Sequence, residues 1–95
     1  MDSEDFLKSL QENHPPNGLN KLLQALWYDA KGNWKKSHEI ASEIETKDGS
    51  LLHAYLHRKE GDQWNADYWY NRAKSKSPNM DLNAEWQELV KKFCK

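Results

Sequence analysis

The stretch that decides the fold is His53–Ala73, HAYLHRKEGDQWNADYWYNRA. It predicts two short helices that fold back on each other across Gly61-Asp62. Glycine tolerates the positive φ that ends a helix, and aspartate can cap the helix that follows. Trp64, Trp69 and Tyr70 give the second helix a dense row of rings. We therefore expect a helix–turn–helix unit in this stretch.

A weaker copy of this unit precedes it at Lys21–Ile44. The two copies are 29 residues apart, and the register holds across the turn without a gap. The equivalent pairs are Ala25 and Ala54, Gly32 and Gly61, Asn33 and Asp62, and Ser37 and Ala66. Small residues let two helices approach closely, and a glycine followed by a capping residue makes a tight reversal. The pattern therefore predicts an internal repeat.

Further helices are predicted on both sides of the repeat, because apolar residues recur there at helical spacing. We expect one all-α domain over residues 1–95. Its parts are an N-terminal helix at 2–13, a first hairpin at 19–46, a second hairpin at 50–76 and a C-terminal capping helix at 81–94. His14–Gly18 and Ser77-Pro78 contain the residues that break helices. Lys47–Ser50 is typical of a turn.

The composition excludes several classes of function. Fourteen Lys and Arg residues are interspersed with fifteen Asp and Glu, for a net charge of −1, so we expect no nucleic-acid partner. No run of apolar residues is long enough to span a membrane. The first residues are acidic and lack the apolar core of a signal peptide. The single cysteine, Cys94, cannot form an internal disulfide, so we expect a reducing cytoplasm.

The second unit resembles a tetratricopeptide repeat. The matching residues are Ala54, Gly61, Asp62, Ala66, Tyr70, Ala73 and Pro78. Sel1-like arrays remain an open alternative, and ALWYDAKGNW and HAYLHRKEGD also resemble a group of short uncharacterised bacterial proteins. The resemblance implies two stacked antiparallel helix hairpins with an additional helix at each terminus, where the terminal helices would cap the stack.

The same resemblance implies a ligand face on the first helix of each unit. On this chain that face falls on Leu26, Asp29, Leu51, Tyr55 and Arg58, which we therefore expect to bind a partner. For Arg58, a salt bridge to Glu60, Asp62 or Asp29 is the competing interpretation. By this fold-level analogy, the function expected is a non-enzymatic module that binds a protein or peptide, without catalytic residues and without a cofactor.

Two histidines suggest an alternative function. His53 and His57 are four residues apart, so both project from one face of a helix and could bind a metal ion. A site would need a third ligand, and Glu60, His38 or Asp29 could serve only if the fold brought one of them close. The HEXXH motif of zinc proteases is absent. The competing interpretation is that both histidines are hydrogen-bonded interior groups, with no metal bound.

The aromatic residues also allow two interpretations. We expect Trp64, Tyr70 and Trp69 to fill the space between helices, because large rings at helical spacing usually belong to a core. Alternatively, some rings, notably Tyr68 or Tyr55, remain exposed as anchors for a partner. A further possibility is that the chain is a structural protein that uses such a surface to form a homodimer.

Overall fold

In the computed structural model, which describes residues 1–94, the regular structure is entirely helical and no strand occurs. All-α architecture is thus confirmed for this part of the chain. The helices are α1 (Ser3–Ser9), α2 (Lys21–Ala30), α3 (Trp34–Ser42), α4 (Lys47–Lys59), α5 (Gln63–Arg72) and α6 (Leu82–Phe93). None of them is long and apolar enough to cross a lipid bilayer.

The two glycine turns have nearly the same geometry. Gly32 has a φ of 83° and Gly61 a φ of 91°, a region that side chains with a Cβ atom enter only at a cost. After each glycine, the side chain of Asn33 or Asp62 caps the next helix at 3.1 Å. The glycine and the capping residue therefore have the same roles in both turns.

The start of α4 differs from the prediction. Lys47–Ser50, predicted as a turn, is the first turn of α4, because Thr46 caps the helix and its hydroxyl accepts from the Gly49 N–H at 3.0 Å. Only glycine fits at position 49. A Cβ atom there would come within 2.1 Å of the carbonyl oxygen of Ile44.

Three helices end earlier than predicted. α1 ends at Ser9 and α3 at Ser42, and α5 ends at Arg72 rather than near residue 76. The chain leaves α5 through Lys74, whose φ is 55°. The N–H of Ser75 then donates to the carbonyl of Tyr70 at 2.9 Å, which closes the helix end as in a Schellman motif.

Helix α4 is the centre of the molecule. It packs against α2, α3, α5 and α6, and every residue from Leu52 to His57 is buried. α2 packs on α3, and α6 lies against both α2 and α4. The main core contains the buried side chains of Phe6, Leu23, Leu26, Trp27, Leu52, Leu56, Trp86, Leu89, Val90 and Phe93.

The terminal helices are joined to α2 by aromatic side chains. The indole N–H of Trp27 in α2 donates to the Ser9 carbonyl of α1 at 3.3 Å. The indole N–H of Trp86 in α6 donates to the Leu26 carbonyl at 3.2 Å. The rings of Phe6 and Trp86 lie 6.0 Å apart, so α1 also packs against α6. Each hydrogen bond of this kind stabilises the fold by about 1 kcal/mol.

Candidate functional site

The residues expected on a ligand face lie against the chain's own last helix. Leu26, Asp29 and Tyr55 are at most 2% exposed. Asp29 and Tyr55 line the floor of a groove of about 380 Å³ beside α6. Leu51 and Arg58 are partly buried, and Leu51 borders a second groove of about 510 Å³. On α2 and α4, the surface expected to receive a partner is largely occupied by α6.

Asp29 is a buried carboxylate whose two oxygens are both paired. Oδ2 accepts from the Tyr55 hydroxyl at 2.8 Å, and Oδ1 accepts from the Lys59 ammonium at 2.8 Å. Burial, followed by the nearby charge of Asp29, raises the pKa of Tyr55 well above its usual value. Tyr55 is therefore a neutral donor, and it joins α4 to α2.

Glu85 of α6 has the same arrangement, with a second tyrosine and a second cation as its partners. Its Oε2 accepts from the Tyr70 hydroxyl at 2.5 Å, and its Oε1 accepts from Arg58 at 2.7 Å. Arg58 also donates to the carbonyl of Met80. Glu85 is 4% exposed. Arg58 is thus a structural ion-pair residue, but its partner is Glu85 and none of the three carboxylates that the competing interpretation named.

The outward face of α5 has no covering element within residues 1–94. Trp64 is 82% exposed and Tyr68 is 47% exposed. The Arg72 guanidinium donates to the Tyr68 hydroxyl at 3.1 Å and lies 5.2 Å from the ring centre of Trp69. We call Trp64, Tyr68 and Arg72 the α5 row. They are spaced four residues apart, so they follow one side of the helix.

The prediction that Trp64 fills the core is wrong. Ala66 and Tyr70 are the residues of α5 that point inward, and both are at most 1% exposed. Two residues along a helix correspond to a rotation of about 200°, so Trp64 faces away from the side that Ala66 occupies. Tyr70 is buried as predicted, and Trp69 is partly buried at the edge of the interior.

Three of the four histidines come together between α3 and α4. One ring nitrogen from each of His38, His53 and His57 lies within 4.8 Å of the other two. The Nε2 atoms of His38 and His53 are 2.9 Å apart. His53 and His57 are 7% and 8% exposed, and His38 is partly exposed. We call these three side chains the histidine cluster.

Aromatic rings and one carboxylate hold the histidine cluster in place. Trp69 stacks on His53, with ring centres 4.0 Å apart and planes inclined by 9°. Trp34 stacks on His38 with ring centres 4.8 Å apart. The Nδ1 atom of His57 lies 2.5 Å from Oε1 of Glu60. Every ring of the cluster is therefore oriented by a second group.

Burial keeps two of these imidazoles neutral. Desolvation, followed by the charges of His38 and His57, lowers the pKa of His53 to about 4. Desolvation, followed by the charge of His57, also lowers the pKa of His38. At neutral pH, one of the two Nε2 atoms can therefore donate a hydrogen while the other accepts it.

His38 could be named from the sequence only as one of several possible third ligands. Its distance from His53 and His57 depends on how α3 packs against α4, and no local spacing reveals that packing. Asp29, another of those possibilities, is engaged with Tyr55 and Lys59 instead. Glu60, the third, contacts His57.

No protein-family model, no curated protein and no solved structure matches this chain. The resemblance to tetratricopeptide repeats therefore stays a prediction. What the chain does has to follow from its own exposed surfaces and side-chain chemistry.

Proposed function

We propose that the chain is a non-enzymatic protein-interaction module. In this proposal, the α5 row binds the α5 row of a second copy of the same chain. The observation that carries the proposal is the α5 row, above all the exposure of 82% at Trp64. Trp, Tyr and Arg are the residue types that most often dominate the free energy of protein association. Here all three stand in line on one uncovered helix face.

The charges along α5 and its flanks favour self-association. Acidic residues stand at the N-terminal end of this segment and basic residues at its C-terminal end. The acidic residues are Glu60, Asp62 and Asp67, and the basic residues are Arg72, Lys74 and Lys76. If two copies met with their α5 helices antiparallel, the acidic end of each would face the basic end of the other. Such complementarity fixes orientation and suppresses unrelated partners.

The α5 row can also pair with the α5 row of a second copy across a two-fold axis. Trp64 and Arg72 are each four residues from Tyr68, on opposite sides of it. A two-fold axis through the two Tyr68 side chains would set Trp64 of each copy opposite Arg72 of the other. Residue i then contacts residue j, and j contacts i, as a two-fold interface requires. An Arg guanidinium over an indole ring adds a cation–π attraction.

In this proposal, helices α2–α5 are two stacked antiparallel hairpins of the tetratricopeptide type. The repeated turn geometry at Gly32 and Gly61 and the packing of α2 on α3, α4 on α5 and α3 on α4 support it. Stacked helical repeats present extended binding surfaces rather than reaction centres. The proposed setting is a reducing bacterial cytoplasm, where the lone Cys94 stays a thiol.

Light scattering over a range of concentrations tests this proposal. We expect the wild-type mass to rise toward twice the chain mass of 11.2 kDa. The double variant Lys74→Glu, Lys76→Glu should remain monomeric, because the acidic end of one copy would then face acidic residues of the other. A wild-type chain that is monomeric at the highest concentration reached would overturn the proposal.

The matched control reverses two lysines elsewhere. Lys21 on α2 and Lys36 on α3 are exposed and border a groove that no residue of α5 lines. The variant Lys21→Glu, Lys36→Glu changes the net charge by the same amount, so we expect it to dimerise like the wild type. If both double variants lose the dimer equally, only overall charge matters and the α5 face is not the interface.

A further inference from the structure

The histidine cluster has the composition and arrangement of a metal-binding site. We propose that His38, His53 and His57 bind one divalent transition-metal ion, such as Zn²⁺. Imidazole nitrogen is a preferred ligand of Zn²⁺, Cu²⁺ and Ni²⁺, whereas Ca²⁺ and Mg²⁺ require oxygen ligands. Three protein ligands leave one position of a tetrahedral ion to water or another small donor.

The spacing of the nitrogens suits such an ion. Zn²⁺–N bonds of about 2.0–2.1 Å at tetrahedral angles set two ligand atoms about 3.3 Å apart. The Nε2 atoms of His38 and His53 are 2.9 Å apart, so this pair would have to separate by a few tenths of an ångström. The third nitrogen, on His57, lies within 4.8 Å of both. Without the ion, the imidazoles of His38 and His53 share a hydrogen bond across the same gap.

Glu60 is arranged as a positioning residue for this site. Its Oε1 lies 2.5 Å from Nδ1 of His57, within hydrogen-bond distance. In the neutral tautomer that carries its hydrogen on Nδ1, Glu60 accepts that hydrogen and Nε2 keeps a lone pair for the ion. A carboxylate behind a ligating histidine fixes the ring's tautomer and orientation, and its loss typically weakens metal binding by about 10–100-fold.

The surroundings of the cluster hold the ligands before an ion arrives. The indole rings of Trp34 and Trp69 lie flat against His38 and His53, so they restrict both rings and keep water from one face of each. Ordering the ligands in advance reduces the entropy that binding must overcome. Because His38 belongs to α3 and the other two ligands to α4, a bound ion would also link the two repeat units.

Calorimetric titration with ZnCl₂ tests the site. The protein should carry no histidine tag and should first be dialysed against EDTA and then against metal-free buffer. We expect saturable binding of one ion per chain, and a higher melting temperature with the ion because it binds only the folded state. Titration with Co²⁺ should give the visible absorption band of a tetrahedral complex. Absence of saturable Zn²⁺ binding would overturn the proposal.

Matched histidine variants locate the ion. His38→Gln should lower the Zn²⁺ affinity at least tenfold and abolish the Co²⁺ band. His14→Gln should leave both unchanged, because His14 is exposed and lies outside the cluster. His38 is only partly buried, and the helical signal of each variant reports whether it folds. Equal affinities for His38→Gln and the wild type would place the ion elsewhere and overturn the proposal.

Two further measurements test the role of Glu60 and the number of chains that share the ion. Glu60→Gln should weaken Zn²⁺ binding by about 10–100-fold, whereas Glu43→Gln, an exposed control that follows α3, should not. Unchanged affinity in Glu60→Gln would overturn the positioning role.

Light scattering on the same samples should show no change of mass with Zn²⁺. A mass that depends on Zn²⁺ would mean that the ion joins two chains, which would overturn a site built from α3 and α4 of one chain.

Discussion

Helix α6 covers one side of α4, whereas no element within residues 1–94 covers the outward side of α5. The two surfaces carry similar residue types. Both carry tyrosine and arginine. Under α6, Tyr55 is paired with Asp29, and Arg58 with Glu85. On α5, Tyr68 and Arg72 bond to each other and remain open to water. The same residue types are therefore structural where the chain supplies a covering helix and available where it does not.

The largest effect should come from removing the carboxylate under α6. Glu85→Ala leaves the partly buried Arg58 without its ion-pair partner and the Tyr70 hydroxyl without an acceptor. Breaking a buried pair in this way costs about 3–5 kcal/mol. Urea unfolding, followed by circular dichroism, should show that loss in the free energy of unfolding.

A neighbouring glutamate provides the control. Glu88 lies one turn further along α6, its side chain is 62% exposed, and its carboxylate is 3.9 Å from the Lys91 ammonium. Glu88→Ala should leave the urea midpoint nearly unchanged, because exposed ion pairs contribute little to stability. If Glu85→Ala were equally mild, the covered face would not stabilise the fold as described.

A pair of tyrosine variants should give an intermediate effect. Tyr55→Phe removes a donor to the buried Asp29 carboxylate and should lower the free energy of unfolding by about 1.5–3 kcal/mol. Tyr68→Phe removes an exposed hydroxyl and should lower it by less than about 0.5 kcal/mol. Chemical denaturation of the two variants side by side checks the difference. Equal losses would contradict the assignment of one tyrosine to the interior and the other to the surface.

The smallest effect should be a gain in stability. The hydroxyl of Ser37 is fully buried and has no hydrogen-bond partner within residues 1–94. A buried polar group without a partner is destabilising, so Ser37→Ala should raise the free energy of unfolding by about 1 kcal/mol. The reverse change at the equivalent position, Ala66→Ser, should lower it. A loss of stability in Ser37→Ala would mean that this hydroxyl has a partner in solution.

Much of the local structure follows from the sequence. Gly32 and Gly61 predict both reversals, and the small residues Ser37 and Ala66 predict two positions that are fully buried. These features depend on residues that are neighbours in the chain, and the sequence pattern occurs twice, 29 residues apart. The pattern is therefore enough to predict where the turns and the small buried residues lie.

The surfaces could not be predicted in the same way. Trp64 and Tyr70 are both aromatic residues of α5, yet Trp64 is exposed and Tyr70 is buried. Which ring is covered depends on where α4 and α6 pack, and that packing joins residues far apart in the chain. His38 meets His53 for the same reason. Local spacing carries no information about such contacts.

The α5 face as a docking surface for a second copy is our central claim. Sedimentation equilibrium of the wild type and of Trp64→Ala tests it most directly, with Leu7→Ala as the control because Leu7 is also exposed, at 45%, but lies on α1. We predict dimers for the wild type and Leu7→Ala, and a monomer with unchanged stability for Trp64→Ala. A dimer that persists in Trp64→Ala, or a wild-type chain that is always monomeric, would contradict the claim.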